Sequence, residues 1–501
     1  MKIHFSAFLK KQSLFLILVI LVGLYLRLPG VFGNYFAFTY DVGRDMLALW
    51  NIAFGTHKLL LIGFTTGLPG VFYGPWWYYM LLPFYILSLG NPQGIAVTMV
   101  LVGVAAIICG FFLGKKIGGN FLGISLASLI AVSPVFVGLS SQIWNPYISP
   151  LFLVLTLLIL HKIYSEEKSR KRYFFVLGFL IALIIDLEIV FGFLLAIGLI
   201  LSLLLVKNKK LQWKSLISFI IGALIIFSPR IIFELRHHFL MTTAFMKFLI
   251  SGDSSKRLSL VETFINRINM IFNQFNSTLA LDNKFLGVII ILFIAIAIVV
   301  LYKKTSKINK QFIKTSLIVL LTFISGLTFF RHDIWPYYLV GLPVFYLLLV
   351  CLSINLIAER AKNYIIPGII IIVLFLINLN PISIVSNLNK PAWVGDASVY
   401  KNQLQVVDYV YGQAKGRAFK EQVYTPPVYD YTYQYLFKWY GPNKYHYAPS
   451  SSSHLAFFIL EPDLQYPFRL TDWLKIREKD GKIIKSEKFK SGIVVQTRIN
   501  Q

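Results

Sequence analysis

The sequence predicts an all-α, polytopic membrane protein that carries a small α/β domain at its C-terminal end. Three observations predict it. Of 501 residues, 57% are hydrophobic and only 14% are charged, where a soluble chain has about 25% charged residues. Uncharged apolar runs of about 20 residues recur, the length that crosses a hydrocarbon core as a helix. After Asn380 the composition turns polar and tyrosine-rich. A soluble enzyme, a disordered chain and a nucleic-acid-binding module are excluded. The net charge of +26 is topogenic, because much of it sits in short loops between apolar runs.

Spans are expected near 13–28, 93–113, 119–138, 148–163, 173–186, 188–206, 215–233, 285–302, 315–330, 336–354 and 364–380. The first follows Lys10 and Lys11 and has no small-residue cleavage site after it, so it is expected to stay as a span. Trp76–Gly90 is apolar but short, holds Pro83, and opens Trp76-Trp77-Tyr78-Tyr79. That composition predicts a helix lying at the membrane surface. Tyr173–Val206 is too long for one span, at about 51 Å as a single helix. Two short spans meeting near Asp186 and Glu188 fit better.

Charge sets the expected orientation. With the N-terminus inside, the cytoplasmic segments hold 21 Lys and Arg, and the outer loops before residue 381 hold nine. Counting Trp76–Gly90 as a span destroys that asymmetry. The expectation is eleven spans with the C-terminus outside. Residues 1–380 form the membrane domain, with long outer loops at 29–92 and 234–284. Residues 381–501 form an extracytoplasmic α/β accessory domain, expected to serve acceptor access or folding rather than to supply the base, with a helix over 398–413 and strands at 455–460, 481–486 and 492–498. Cys109 and Cys351 each lie inside an apolar run, so no disulfide is expected. No internal repeat is evident, which weakens a transporter reading.

The informative acids fall on the outer side: Asp41, Asp45, Asp186, Glu188, Glu234 and Asp333. A carboxylate close to a bilayer is costly and is usually paired or functional. In a helix starting near Asp41, Asp41, Arg44 and Asp45 share a face. They read either as a catalytic base with orienting partners or as an ion-pair cluster anchoring a surface helix. Arg44 is expected to lower the Asp41 pKa, as an adjacent cation does. The loop then runs through Gly63, Gly67, Pro69, Gly70, Gly74 and Pro75 into Trp76 and Tyr78, aromatics suited to a sugar or to the lipid interface. Asp186 and Glu188 are either substrate contacts or a polar turn. Glu234 precedes His237 and His238, a bare pair that is weak evidence for metal. Arg331 and His332 can hold a phosphate at the interface or pair with Asp333, and Tyr337 and Tyr338 follow. There is no GxxxxGK[ST], HExxH, CxxC or GxSxG, so no P-loop nucleotide site is indicated.

At Phe38–Asp45 (F-x-x-D-x-G-R-D) and Gly70–Trp77 (G-V-F-x-G-P-aromatic) the chain resembles the GT-C membrane glycosyltransferases. The likeness is nearest to the protein-mannosyltransferase and aminoarabinose-transferase branch, family 39-like. Phe233–His238, Arg331–Tyr338, Tyr424–Pro427 and Tyr435–Trp439 are similar to segments of the same bacterial group. The resemblance implies a GT-C bundle with interfacial helices in its first outer loop. It implies a polyprenyl-phosphate sugar as donor and a glycan, lipid or protein acceptor outside the cytoplasm. Asp41 matches the first acid of the family's loop motif. Its second acid is replaced by Val42, leaving part of that role to Asp45 or Glu188. Asp41 and Asp45 are thus the expected catalytic residues, and Arg331, His332 and Arg44 the phosphate ligands. Trp76, Tyr78, Asp186, Glu188, Tyr337, Tyr338 and Glu234 are the expected substrate contacts. Metal use varies across the class, so no metal is assigned and a divalent ion stays open. The rival reading is a transporter or flippase of a lipid-linked sugar; a scaffold displaying the tail is another.

Overall fold

The computed structural model describes residues 2–166, 171–205, 213–251, 259–330, 333–379, 396–426 and 429–499. Helix α1 is Lys2–Phe32, α2 Tyr40–Ala53, α3 Trp76–Leu87, α4 Pro92–Val132, α5 Pro134–Ser140, α6 Ser149–Ser165, α7 Lys171–Leu187 and α8 Ile189–Leu205. Then follow α9 Trp213–Arg236, α10 Leu240–Ser251, α11 Leu260–Leu279, α12 Lys284–Leu301, α13 Lys307–Phe329, α14 Leu342–Ala361 and α15 Ile365–Leu379. Among the described residues, seven helical segments are long and apolar enough to cross a membrane. They are the Ser13–Phe32 part of α1 and the segments that contain α4, α6, α9, α12, α13 and α14. The chain is a multi-span membrane protein. The remaining expected spans are the shorter α7, α8 and α15, of 17, 17 and 15 residues.

Glycine decides the break inside α4. Gly119 has φ 87° beside a non-helical Gly118, a conformation that costs other residues dearly. Two expected spans thus join end to end as one bent element. Glycine also sets the closest helix pair. Gly178 on α7 faces the Phe219 carbonyl, and Gly222 on α9 faces the Phe175 carbonyl, with no room for a Cβ at either. Small residues let apolar helices approach backbone to backbone. Helix α14 lies at the centre, buried on every side from Leu342 to Leu356, as a helix apolar all round should be.

Two differences from expectation have local causes. Helix α13 starts well before residue 315 because the Ser306 side chain accepts from Asn309 N. The outer segment 234–284 holds two helices, of which α11 opens on a capping box between Ser259 and Glu262. That box satisfies two backbone donors reciprocally.

The tail adds α16 (Tyr400–Ala414), β1 (Lys420–Tyr424), α17 (Tyr431–Tyr445), β2 (Leu455–Leu460), α18 (Pro467–Ile476), β3 (Lys482–Lys488) and β4 (Val494–Ile499). The sheet order is β1-β2-β4-β3. β1 runs parallel to β2, with Lys420 opposite Ala456, and the other pairs are antiparallel. β2 is buried along its whole length, whereas β3 is exposed throughout. Lys482, Lys485 and Lys488 on that edge discourage pairing with another strand.

The tail packs onto the first outer loop. Ala37 bridges Val399, Phe38 N donates to Ser398 O, and Tyr400 N donates to Phe36 O. The Tyr85 and Tyr435 hydroxyls meet at 2.8 Å, and Trp439 Nε1 donates to Leu89 O. One apolar cluster runs from Phe38, Met46, Trp77 and Tyr85 into Val406, Val407 and Leu436.

Candidate active site

Helix α2 begins at Tyr40, so Asp41 lies in its first turn, where the helix dipole favours an anion. Arg44, one turn on, donates from Nη1 to Asp41 Oδ1 at 2.6 Å. The same guanidinium donates from Nε and Nη2 to Asp45 Oδ1, at 3.0 and 2.9 Å. Its carbon lies 3.8 Å over the Phe64 ring. Arg44, expected to face a donor phosphate, is engaged by both acids and an aromatic.

The two acids differ. Asp45 is buried and also accepts from Trp77 Nε1 at 2.8 Å and Tyr78 hydroxyl at 3.1 Å. Tyr78 is buried there, so it locks Asp45 in this structure. Asp41 keeps 25% of its side chain exposed and lines a cavity of about 410 Å³. Burial raises the Asp41 pKa above the ordinary carboxylate value, and Arg44 only partly offsets it. Arg44 does lower it, as expected, but desolvation of the charged form outweighs the ion pair, so the net shift is upward.

Three segments wall the cavity: 37–42 of the first outer loop, Gln142–Trp144 between α5 and α6, and tail residues including Gln403, Thr425, Tyr429, Thr432 and Glu461. The tail residues were not expected at the site. Nothing local in the sequence marks them, since they reach it only through packing of the tail.

A second cluster lies under the turn before α3. Asp186 Oδ1 pairs with Arg230 Nη2 at 2.8 Å, and Asp186 Oδ2 accepts from Trp76 N. Trp76 Nε1 reaches Ile226 O at 2.8 Å. A Cβ on Gly74 would collide with the Asp186 carboxylate, so only glycine permits this approach. Arg230 was missed, being absorbed into an apolar span; an arginine within such a run was itself the signal.

Glu188 sits in the break between α7 and α8, buried, and accepts from the Tyr73 hydroxyl at 3.2 Å and Val190 N at 3.3 Å. Burial, then Glu188, then Tyr337 and Tyr338 push the Tyr73 phenol well above its usual range. Those four residues share one neighbourhood. Tyr337 also meets Trp144 edge-on at 4.8 Å, which links the neighbourhood to the cavity wall. Glu234, expected at the substrate, accepts from Met241 N, Thr242 N and Thr242 Oγ1 and so fixes the start of α10. Arg331 and His332 lie outside the described residues. Among the described residues no three His, Cys, Asp or Glu side chains come together as a metal site.

No family model matches the chain, and no curated protein matches it significantly. Solved structures do. The crystal structures of ArnT from Cupriavidus metallidurans, one bound to undecaprenyl phosphate and one in the apo state, each superpose with a TM-score of 0.59. Identity is 10%, over 98% of this chain and 98% of that chain. The Archaeoglobus fulgidus oligosaccharyltransferase tethered with an acceptor peptide gives 0.46 at 12% identity, over 81% of this chain and 57% of that one. The ArnT likeness is one of fold and runs the length of both chains: the protein has the fold of ArnT, a helical membrane bundle with a small C-terminal sheet.

Proposed function

We propose that the protein is a glycosyltransferase that moves a sugar from a polyprenyl-phosphate donor to a hydroxyl of an extracytoplasmic acceptor. The observation that carries this reading is the Asp41 carboxylate in the cavity wall, held by Arg44, which is itself anchored on the buried Asp45. The ArnT structure bound to undecaprenyl phosphate supports the donor class.

The acceptor oxygen attacks the anomeric carbon and forms the new glycosidic bond. The bond from that carbon to the lipid phosphate breaks, and the phosphate leaves with the electron pair. Asp41 takes the proton of the attacking hydroxyl. A base whose pKa is raised toward the working pH serves this step better than an ordinary carboxylate. Arg331 and His332 are the proposed cations for the departing phosphate, a charge best met by preorganised donors. Glu188 and Tyr73 are the proposed contacts to the donor sugar.

Purified protein in detergent, given an undecaprenyl-phosphate-linked sugar and an extract of envelope glycans, should transfer the sugar without a second compartment. Asp41→Asn should abolish most of that transfer while undecaprenyl phosphate still binds. Movement of the lipid-linked sugar across sealed vesicles with no transfer would sink the reading in favour of a flippase.

A further inference from the structure

The wall of the Asp41 cavity that the tail supplies carries unspent hydrogen-bonding capacity. Gln403 on α16 is buried, donates from Nε2 to Glu461 Oε1 at 3.2 Å, and leaves its own Oε1 without a partner. Of the buried amide oxygens without a partner among the described residues, this one belongs to a residue of the cavity wall. Glu461, just after β2, is nine-tenths buried, and both of its carboxylate hydrogen bonds, from Gln403 and from Tyr433, fall on Oε1. Both residues line the cavity. Aromatic residues also line the cavity: Tyr429, 57% exposed, stacks near Tyr40 at 6.3 Å, and Trp144 is part of the wall. No Lys, Arg or His is among the described lining residues.

Resting on the glycosyltransferase reading, we propose that this cavity is the acceptor site and that it takes an uncharged sugar ring of a glycan, through Gln403 and Glu461 of the tail. The chemistry matches at each wall. A sugar hydroxyl is the kind of donor that the orphan Gln403 oxygen lacks and that can add to the Glu461 carboxylate, whose bonds from Gln403 and Tyr433 both fall on Oε1. Flat aromatic faces receive the ring, as in pockets where a few placed polar groups orient a ligand against apolar walls. A phosphorylated acceptor would bring anionic charge against Asp41 and Glu461 with no cation among the described lining residues to meet it, and unpaired charge in a desolvated site is strongly disfavoured. Burial, with Asp396 nearby, holds the Glu461 carboxyl up at about 7, so near neutral pH it exists in both forms and can donate to or accept from a hydroxyl. The tail therefore supplies part of the substrate site.

Saturation-transfer NMR on the full chain in detergent tests this with two probes, methyl α-glucoside and glucose 6-phosphate. The uncharged glycoside should bind and the phosphate should bind at least about tenfold more weakly. Gln403→Leu should weaken glycoside binding by up to about tenfold, the worth of one hydrogen bond. Tyr429→Ala, at an exposed position, should weaken it as well and guards against a folding defect in the buried variant. Equal or tighter binding of glucose 6-phosphate, or no binding of either probe, overturns the inference. Undecaprenyl phosphate binding, read on the same sample, separates the two claims: its loss strikes the transferase reading, whereas its retention with a failed glycoside arm strikes only the acceptor site.

Discussion

Trp77 Nε1 donates to Asp45 Oδ2 at 2.8 Å, joining α3 to α2 across the whole first outer loop. With Tyr78 and Arg44 also on Asp45 Oδ1, both oxygens of this acid are engaged and its position is fixed. Asp41, one helical turn earlier, shares only Arg44 with it and faces the cavity. The two acids expected together as catalytic therefore have separate settings, Asp41 on the cavity wall as the proposed base and Asp45 held as an anchor.

Asp41→Asn keeps size and removes the proposed base, so transfer should fall by about 10²–10⁴-fold, with expression and undecaprenyl phosphate affinity nearly unchanged. Near-wild-type turnover in that variant, with loss in Glu188→Gln, would move the base to the α7–α8 break.

Trp77→Phe removes one hydrogen bond to a buried charge and should cost about 1.5–3 kcal/mol of stability, read as a lower Tm in detergent. Turnover per folded molecule should fall less than in Asp41→Asn. A variant as stable as wild type would show that Asp45 is not held by the indole.

Transfer should have an acid limb above the ordinary carboxylate pKa. The raised Asp41 value means that the proton-accepting form is present at high pH and is lost as pH falls through the folded-state pKa. Arg44→Met removes the cation that favours the charged form, so the limb should move to higher pH. A limb that stays put or moves down would mean that another group titrates.

Arg230→Met leaves Asp186 buried without its cation and should destabilise by about 3–5 kcal/mol, the usual cost of breaking such a pair from one side. Adding Asp186→Leu should recover much of that loss in thermal unfolding. No recovery would show that Asp186 is needed for the Trp76 turn and not only for Arg230.

Gly43 of α2 lies against the Tyr431 and Thr432 backbone, and a Cβ there meets main chain that cannot easily yield. Gly43→Ala should push α17 off the first outer loop, costing about 1–3 kcal/mol as overpacking does. Limited proteolysis should then release the tail sooner than in wild type.

Ser452 is exposed in the turn before β2. Ser452→Cys should label from outside intact cells, if the charge asymmetry sets an outer C-terminus. Labelling only after permeabilisation would reverse the orientation.

Composition alone determined that this is a many-span helical membrane protein, because an apolar run of sufficient length becomes a helix in lipid whatever its neighbours are. Local pattern also placed α2 at Asp41, the break near Glu188, and β2 at 455–460, each from a period or an interruption confined to a few residues. Only tertiary structure decided which acid faces the cavity, that burial outweighs Arg44 at Asp41, that Arg230 answers Asp186, and that Gln403 and Glu461 of the tail reach the same site. The partners of Asp186 and Glu461 lie from a few tens to more than a hundred residues away, and desolvation is a property of everything packed around a group, so neither can be read from the spacing of neighbours along the chain.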